Sequence, residues 1–300
     1  MNCPVCNHSN VKIAIESQDF SLTQTPFSIL HCIHCSFRFT SPVPNQDEIG
    51  QYYKFNEYIS HTDTKEGWMN QLYHFVRTKT LADKTKWVQS LFTGHKGHIL
   101  DIGAGTGAFA HAMQEKAWKV TGLEPDAVTR DKAFEIHQLH LQSTDAIFDL
   151  PENEFEVITM WHVLEHVHAL KPYLKQCFKS LKDNGRLIIA VPNYTSFDAR
   201  YYKKYWAAYD LPRHLYHFSP KSMTILLNEM QFEIVSIRPM WYDSFYVSLL
   251  SEKYKQSGKL GMLLAGVIGV LSNLVALKDT SKGSSIIYEF KKQSNSSLIS

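Results

Sequence analysis

The sequence predicts an α/β fold in which a doubly wound, seven-stranded sheet is preceded by a small N-terminal module. From residue 98 onward, apolar runs of strand length alternate with helical patterns, which is typical of a parallel sheet with crossover helices. The first of these strands ends in Asp101, and glycines follow at alternate positions, Gly103, Gly105 and Gly107. Two C-x-x-C pairs before residue 36 set the N-terminal segment apart from this alternation.

Composition places the chain among globular proteins. Of its 300 residues, 44% are hydrophobic, which is enough for a sizeable core. The formal net charge of +2 gives no support for a large nucleic-acid-binding surface, so nucleic acid is not an expected partner. Cys3 and Cys6 stand where a secretory signal would begin, and we therefore expect a cytoplasmic protein with reduced thiols.

The later strands are placed by their apolar runs. The predicted second to seventh strands lie at residues 119–123, about 139–141, 155–160, 186–192, 232–241 and 284–290. A helix is predicted from Asp126 to His137, and another from Ser219 to Met230 with Pro220 in its first turn. Ligands of such sheets lie beyond the carboxyl ends of the strands, which is where Asp101 and Glu124 fall.

Residues 1–42 are predicted to form a zinc ribbon. Each C-x-x-C pair offers two thiolates on a tight turn, and two pairs can close a tetrahedron around Zn²⁺. The predicted ligands are Cys3, Cys6, Cys32 and Cys35. Four thiolates fill every coordination position, so this zinc is expected to be structural. A redox dithiol and buried thiols without metal are the alternatives.

Residues 43–95 are predicted to be a helical linker. The segment 41–44, Ser-Pro-Val-Pro, marks the boundary. A long helical periodicity of apolar residues follows between Trp68 and Leu91. We expect a helix packed on the sheet edge, or a lid over the ligand site to which Tyr52, Tyr53 or Tyr58 contributes.

The glycine-rich loop after Asp101 predicts a ligand site. Glycine lets the backbone approach a ligand closely, and the helix N-terminus that follows attracts a carboxylate or phosphate. Glu124, at the end of the second strand, suits the two hydroxyls of a ribose. A dinucleotide would favour G-x-G-x-x-G, whereas D-x-G-x-G-x-G puts an acid near a ligand that carries an amino group and a sulfonium. Dinucleotide binding and a purely structural loop are the alternatives.

At these residues the chain resembles the class I S-adenosylmethionine (SAM) dependent methyltransferases of the ubiquinone-biosynthesis, or methyltransferase-23-like, type. The resemblance is close over about residues 87–192 and looser to the C-terminus. It implies a Rossmann-like methyltransferase domain over residues 96–300, in which Asp101 lies near the amino group of SAM and Glu124 holds the ribose. The cofactor residues that it implies are Asp101, Gly103, Ala104, Gly105, Thr106, Gly107, Glu124, Pro125, Asp145, Ala146 and Trp161.

The segment after the fourth strand resembles the one that lines cofactor and acceptor in these methyltransferases. His162 is the predicted general base, because a neutral imidazole could take a hydroxyl proton while the methyl group moves. Alternatively, His162 only packs or hydrogen-bonds beside the cofactor. Glu165 and His166 match part of the E-x-x-E-H metal set of some relatives. His162 replaces the first acid of that set, so pairing of Glu165 within its helix is favoured over a divalent metal.

An aromatic stretch, residues 205–219, is predicted to form the acceptor wall. It carries too many rings and ionisable groups for a linker, and long loops at this edge of a sheet tend to carry function. The expected acceptor contacts are Tyr209, Arg213 and His214. Arg213 or His214 would meet an anionic or hydroxyl group, and His214 is a second catalytic candidate. Aromatic packing under a long loop is the alternative.

An apolar insertion, about residues 244–282, separates the sixth and seventh strands. Residues 260–277 carry no charge, and lysines flank them. A buried or dimer-forming helix, an interfacial membrane contact and a membrane span are the three interpretations, and about 18 apolar residues is the lower limit for a span. The expected location is therefore cytoplasmic, with a peripheral contact to the inner face of the membrane as an option.

The sequence predicts an enzyme that aligns an acceptor with the sulfonium methyl group of SAM for in-line displacement. The favoured acceptor atom is an oxygen of a small molecule, glycan or lipid precursor. The alternatives are an RNA base methyltransferase with an N-terminal zinc finger, a sugar C-methyltransferase, and a SAM-binding scaffold without turnover. The low net charge and the lack of an N-P-P-Y-like motif after the fourth strand argue against RNA.

Overall fold

The computed structural model describes residues 1–53, 68–92 and 96–294, and for residues 68–75 and 77 it describes the backbone alone. Tyr58, one of the predicted lid residues, lies outside the described residues.

The described strands form two sheets. In chain order the strands are β1 (Val11–Gln18), β2 (Pro26–Cys32), β3 (Arg38–Ser41), β4 (His98–Ile102), β5 (Lys119–Leu123), β6 (Phe155–Trp161), β7 (Leu181–Pro192), β8 (Tyr216–His217), β9 (Phe232–Pro239) and β10 (Ser285–Lys292). A four-stranded sheet has the order β1-β2-β3-β8, and the main sheet has the order β5-β4-β6-β7-β10-β9.

Helices cover the main sheet and fill the long connections. They are α1 (Trp68–Ser90), α2 (Ala108–Gln114), α3 (Ala127–His137), α4 (Leu170–Ser180), α5 (Phe197–Tyr202), α6 (Pro220–Glu229), α7 (Asp243–Tyr254) and α8 (Gly258–Lys278). Short 3-10 helices lie at Ile49–Tyr53, Thr144–Asp149, Leu164–His166, Lys203–Tyr205, Ala207–Tyr209 and Thr280–Lys282.

The main sheet is mixed. Strands β5, β4, β6 and β7 run parallel, whereas β10 lies antiparallel between β7 and β9. Every residue of β4 is buried, as are all residues of β6 except its last. Such burial is expected of parallel strands that are covered on both faces. The predicted α/β class is confirmed.

The main sheet has six strands where the sequence predicted seven. The predicted third strand is reduced to an isolated parallel bridge between Leu123 and Gln142. Gln138 ends α3 in a left-handed conformation, with φ of 55°, and a 3-10 helix already begins at Thr144. Within the segment between these two turns, Gln142 pairs with the end of β5 through the backbone groups of Gly122 and Glu124, and the pairing does not extend further.

Two predicted helix starts are confirmed. Asp126 caps α3 by accepting a hydrogen bond from the backbone N–H of Thr129. Ser219 caps α6 through a capping box with Ser222, and Pro220 is the first residue of that helix. Each cap satisfies backbone N–H groups that have no partner within the helix, which is worth about 1 kcal/mol.

The N-terminal module is fastened to the rest of the chain by a strand. β8 pairs antiparallel with β3, with Arg38 opposite His217 and Phe39 opposite Tyr216. Thr40 adds hydrogen bonds, since its Oγ1 donates to the carbonyl of His214 at 2.6 Å. The segment that was expected to form the acceptor wall therefore also holds the module.

Helices α7 and α8 fill the interval between β9 and β10. Among the described residues, α8 is long and apolar enough to cross a membrane by length and composition, and 33% of its most apolar window is buried inside the protein. Small residues make that buried face, and a Cβ added at Gly269 would lie 2.5 Å from the ring of Phe245 on α7. The two helices therefore pack closely together.

Candidate active site

A cavity of about 750 Å³ opens at the carboxyl ends of β4 and β6. Its walls come from the β4–α2 loop, the end of β6, helices α1 and α7, the loop before β8, and the β1–β2 turn. Cavities of this size hold cofactors and drug-sized ligands. Its position is the one expected for ligands of a doubly wound sheet.

The glycine-rich loop forms the floor of the cavity. Gly103, Gly105 and Gly107 have φ of 70°, 56° and 79°, a region that other L-residues rarely adopt. A Cβ at Gly103 would also lie 2.4 Å from Cγ2 of Val163. The alternating glycines are therefore required by this backbone.

Two carboxyl groups lie at the ends of neighbouring strands, Asp101 as the next-to-last residue of β4 and Glu124 directly after β5. Asp101 is buried and accepts a hydrogen bond from Thr159 Oγ1 at 2.7 Å. Burial raises the pKa of Asp101 to about 7, against a smaller opposing effect of Thr159. Burial also raises the pKa of Glu124, although this carboxylate accepts from the backbone N–H groups of Gly105 and Asp126. A cationic ligand group would stabilise both carboxylates.

The predicted cofactor residues divide into two groups. Those in the cavity wall are Asp101, Gly103, Ala104 and Trp161. The others are not part of this wall and lie in the loops after β4 and β5 and on the 3-10 helix Thr144–Asp149; they are Gly105, Thr106, Gly107, Glu124, Pro125, Asp145 and Ala146. Glu124 is tied to the glycine-rich loop, because its carboxylate accepts a hydrogen bond from the backbone N–H of Gly105.

His162 lies in the cavity wall but is held as a cation. Its Nδ1 lies 3.3 Å from Glu165 Oε1, and its Nε2 lies 3.1 Å from Asp243 Oδ2. Burial lowers the pKa of His162, but the hydrogen bonds and charges of Asp243 and Glu165 outweigh burial and raise that pKa to about 9. This pKa favours the protonated imidazole at neutral pH, whereas the predicted general base requires a neutral ring.

Two further histidines, His166 and His214, face the cavity next to Glu165. Glu165, His166 and His214 bring one ligand-type atom each within 4.8 Å of one another. Glu165 is fully buried, and its Oε2 has no hydrogen-bond partner among the described residues. The Nδ1 of His214 lies 2.9 Å from the carbonyl of Ala208, which leaves Nε2 for other partners. The spacing could admit a divalent cation, or let Glu165 support a base.

His166 lies in the cavity wall between the N-terminal 3-10 helix and the loop before β8. Its Nδ1 lies 3.0 Å both from the carbonyl oxygen of Arg213 and from the hydroxyl of Tyr53. Burial, followed by the charge of His214, lowers the pKa of His166 to about 4, so its ring is neutral at neutral pH. Tyr52, another predicted lid residue, also lies in the cavity wall.

Comparison with known proteins decides the family. The methyltransferase-23 family model, described as a methyltransferase domain, matches residues 56–237. The chain belongs to this methyltransferase family.

Relatives of this methyltransferase include quinone-modifying enzymes. This chain is 23% identical over 172 residues to the ubiquinone biosynthesis O-methyltransferase of Idiomarina loihiensis. The aligned region covers 52% of this chain and 69% of the relative. It is also 28% identical over 120 residues to the demethylmenaquinone methyltransferase of Tropheryma whipplei. Here the aligned region covers 38% of this chain and 50% of the relative. The chain thus spans only half the length of this second relative.

A solved structure shares the fold of this methyltransferase. The phosphoethanolamine N-methyltransferase 2 of Haemonchus contortus, in complex with SAM, superposes with a TM-score of 0.52 at 14% identity, over 95% of this chain and 69% of that one. Together with the family match, the fold makes SAM the methyl donor of this enzyme.

Two predicted acceptor contacts of the methyltransferase have other partners. The guanidinium of Arg213 is buried, donates to both Oδ atoms of Asp210, and donates to the carbonyl of Tyr52 at 3.0 Å. Its Nη2 also lies 3.2 Å from Oδ1 of Asp19 in the N-terminal module. Burial lowers the pKa of Arg213, but Asp210 and Asp19 outweigh burial and raise it. Arg213 lies in the cavity wall and also joins the module to the loop, so its guanidinium already has carboxylate partners.

Tyr209 is a core residue, so the aromatic-packing alternative holds there. It is 3% exposed and is not part of the wall of the large cavity. Its hydroxyl accepts a hydrogen bond from Arg38 Nη1 at 3.1 Å, and its ring meets Trp206 and His217 edge-on. His214, the third predicted contact, does lie in the cavity wall.

Several wall residues of this methyltransferase were missed by sequence reasoning. Lys84 on α1 lies with its Nζ 4.2 Å from the ring centroid of Trp161. Burial lowers the pKa of Lys84 to about 8, although the carboxylates of Asp243 and Asp101 oppose that shift. Helix α7 contributes an apolar wall that includes Tyr246, Val247 and Leu250. Neither helix carries a local motif, so only tertiary proximity reveals these residues.

The N-terminal module also reaches the cavity. Its β1–β2 turn contributes Phe20, Ser21, Leu22 and Gln24 to the wall. The carboxylate of Asp19 organises this turn, accepting hydrogen bonds from the backbone N–H groups of Ser21, Leu22 and Thr23. The module is therefore placed to influence what the cavity admits.

Four cysteine thiols of the module converge. The Sγ atoms of Cys3 and Cys35 lie 3.5 Å apart, as do those of Cys6 and Cys32, and all four lie within 4.8 Å of one another. Tetrahedral Zn²⁺ with bonds of about 2.3 Å separates its sulfur ligands by about 3.8 Å, so the four residues fit this metal. Burial raises the pKa of Cys3 to about 11 and also raises the pKa of Cys35. A bound cation would favour both thiolates.

Proposed function

We propose that this methyltransferase transfers the methyl group of SAM to a hydroxyl oxygen of a small, largely apolar acceptor. The observation that carries the proposal is one cavity that joins the glycine-rich floor to His166, His214 and an apolar wall. The ubiquinone biosynthesis O-methyltransferase relatives support such an acceptor. Val247 and Leu250 of α7 offer an apolar surface for it, and Tyr246 on the same helix offers a hydroxyl.

Opposite charges in the cavity support the placement of the methionine end of SAM. A free α-amino acid group carries one ammonium and one carboxylate, and Asp101 and Lys84 offer one charge for each. We infer that Asp101 accepts from the ammonium and that Lys84 pairs with the carboxylate. Glu124 would hold the ribose, with Pro125 beside it, and Asp145 with Ala146 would flank the adenine.

The histidine pair supports a base for the acceptor hydroxyl. SAM, when bound, supplies the electrophilic methyl group. We infer that His214 takes the hydroxyl proton on Nε2 and that buried Glu165 stabilises the imidazolium. Burial raises the pKa of Glu165, but the hydrogen bond from His162 and the charge of His214 outweigh burial. The net effect lowers the pKa of Glu165, so its carboxyl group is ionised. His162 takes a positioning role between Asp243 and Glu165 in place of the catalytic role predicted for it.

We also propose that Cys3, Cys6, Cys32 and Cys35 bind one structural Zn²⁺. The separation of the four sulfur atoms supports this metal, and four thiolates leave no coordination position for substrate. Thiolates stay available to a metal in a reducing compartment, so we infer a cytoplasmic location.

Calorimetry with SAM, followed by release of S-adenosylhomocysteine from a panel of hydroxylated aromatic acceptors, tests the proposed function. We expect micromolar SAM binding that weakens about tenfold in Lys84→Met, since a paired buried charge is lost. We expect His214→Gln to keep SAM binding and to lose about 100-fold in turnover. SAM binding without release of S-adenosylhomocysteine on any acceptor would instead indicate a scaffold, and equal SAM binding by Lys84→Met would refute the placement of the carboxylate.

A further inference from the structure

The outer face of α8 is an apolar surface with no covering element among the described residues. We call it the α8 stripe. Its exposed side chains are Leu260, Met262, Leu263, Val267, Val270, Leu271, Leu274 and Leu277. Leu260, Leu263 and Leu277 are 77%, 72% and 66% exposed. A contiguous apolar surface of this length is unusual for a monomeric soluble protein and marks an interaction site.

The opposite face of α8 is fully used by the fold. Gly269 packs against Phe245, and Ser272 Oγ donates to buried Asp198 at 2.7 Å. After α8 the chain returns to the centre of the main sheet, because β10 pairs with both β7 and β9. The helix is therefore held along one side of the domain. A membrane span would break these contacts, so a partner must meet the α8 stripe from outside.

Charge identifies the partner. The segment 260–277 contains no ionisable residue, and lysines stand at both ends of the helix: Lys253, Lys255, Lys259, Lys278 and Lys282. The neighbouring acids do not cancel these charges: Glu252 is buried near Lys255 and Asp279 lies beside Lys278, so each end keeps more lysines than acids. A second copy of α8 would set Lys259 against Lys278 in an antiparallel pair, or each against its own counterpart in a parallel one. Both arrangements oppose like charges, whereas anionic lipid headgroups complement them.

We propose that the α8 stripe docks in the plane of an anionic lipid surface. Residues 260–277 extend over about 26 Å at 1.5 Å per residue, and an amphipathic helix of this kind buries its apolar face at the headgroup boundary. The lysines at the two ends then lie at headgroup level. Exposed Trp241 and Tyr246, before and on α7, add aromatic rings of the type that favours this boundary.

Docking would place the cavity beside the lipid. Helix α7 contacts α8 through Phe245 and lines the cavity through Tyr246 and Val247 on its other side. An apolar acceptor dissolved in the bilayer would then lie next to the wall that receives it. This consequence rests on the proposed function, whereas the docking itself does not.

Co-sedimentation of the full-length, zinc-loaded protein with lipid vesicles tests the proposal. The vesicles are phosphatidylcholine with or without about 30 mol% phosphatidylglycerol, at an ionic strength near the physiological value. We expect binding to the anionic vesicles and at least about fivefold weaker binding by the Leu263→Glu/Val267→Glu variant. The matched control is Val128→Glu/Ile136→Glu on α3, which replaces residues of similar exposure away from the cavity and should bind as the wild type does. Lys259→Gln/Lys278→Gln should weaken binding to the anionic vesicles and leave any binding to the neutral vesicles unchanged.

Absence of vesicle binding by the wild type, or equal loss in the α3 control, would overturn the proposal. A concentration-dependent dimer in light scattering that Leu263→Glu/Val267→Glu dissociates, without vesicle binding, would assign the α8 stripe to a second copy. SAM binding by each variant is measured in parallel. Retained SAM affinity shows that the variant is folded and separates failure of docking from failure of the proposed function.

Discussion

At the scale of single residues, the cavity is defined by charges that would be unstable alone. Asp101 is buried at the end of β4, where burial raises its pKa to about 7. Lys84 is half-buried above Trp161, and loss of hydration lowers its pKa to about 8. Both groups are thus held close to the point at which they lose their charge. A zwitterionic ligand would stabilise each of them in its charged form, which is the electrostatic basis for binding the methionine end of SAM there.

The pKa of Asp101 leads to a prediction about pH. Because its carboxyl group protonates as pH falls through about 7, SAM affinity should fall by up to about tenfold between pH 7.5 and pH 6. Asp101→Asn should bind SAM weakly and without this pH dependence. Isothermal titration across that range is the measurement. Asp131→Asn, an exposed carboxyl on α3, is the control and should follow the wild type; a pH dependence that survives in Asp101→Asn would assign the titration to another group.

At the scale of elements, the insertion and the end of β6 are tied by one ion-paired histidine. His162 has an unusual positive φ of 57° and bridges Glu165 on the same segment to Asp243 at the start of α7. The sequence identified His162 but not this bridge, because Asp243 lies 81 positions later in the chain. The bridge explains why α7, predicted only as part of an apolar insertion, becomes a wall of the cavity.

This bridge should stabilise the fold in a pH-dependent way. The pKa of His162 is raised from its ordinary value to about 9, so its contribution is fully present below about pH 6.5 and is lost as pH rises through 9. Since the His162 side chain is 33% exposed, we expect Asp243→Asn to lower the free energy of unfolding by only about 1–2 kcal/mol at pH 6, and by much less at pH 9.5.

Denaturant unfolding at the two pH values measures the effect of Asp243→Asn. The control is the double variant with His162→Gln, in which the histidine that titrates is absent. It should show no further loss beyond His162→Gln alone at either pH. A loss in Asp243→Asn that is the same at pH 6 and pH 9.5 would contradict the assignment of the bridge to a charged pair.

At the scale of the whole molecule, the N-terminal module is an integral part of the methyltransferase. β8 extends its sheet, buried Arg213 pairs with Asp19 of the module, and the β1–β2 turn enters the cavity wall. The cysteines pack with Phe37 and Phe39 in a core that continues into that of the main sheet. Zinc bound to the cysteines would add to the free energy that holds this part of the wall in place.

Removal of zinc should affect the acceptor side of the cavity more than the SAM side. We expect one zinc per chain, and we expect chelation or Cys6→Ser/Cys32→Ser to lower the melting temperature by several degrees, on the order expected for loss of a structural metal. SAM affinity should stay within about threefold, because the glycine loop and Asp101 lie on the main sheet, while KM for an acceptor should rise about tenfold. Metal analysis, thermal unfolding and calorimetry are the measurements. Cys177→Ser, at a buried cysteine outside the cluster, controls for loss of a thiol.

An equal loss of SAM binding and acceptor use on zinc removal would contradict this division. It would mean that the module supports the main sheet as a whole rather than the acceptor side of the cavity.

The sequence by itself determined the features that depend on neighbouring residues. The alternation of strands and helices, the glycines at positive φ, the acids at the ends of β4 and β5, and the four cysteines follow from local sterics and spacing, and they sufficed to predict the fold class and SAM. Only the tertiary structure decided which side chains of distant segments meet. It reduced the third strand to a bridge, paired Arg213 with Asp19, locked His162 against Asp243 and brought Lys84 beside Asp101. The last three outcomes depend on burial and on charges far apart in the chain, and no local pattern encodes these.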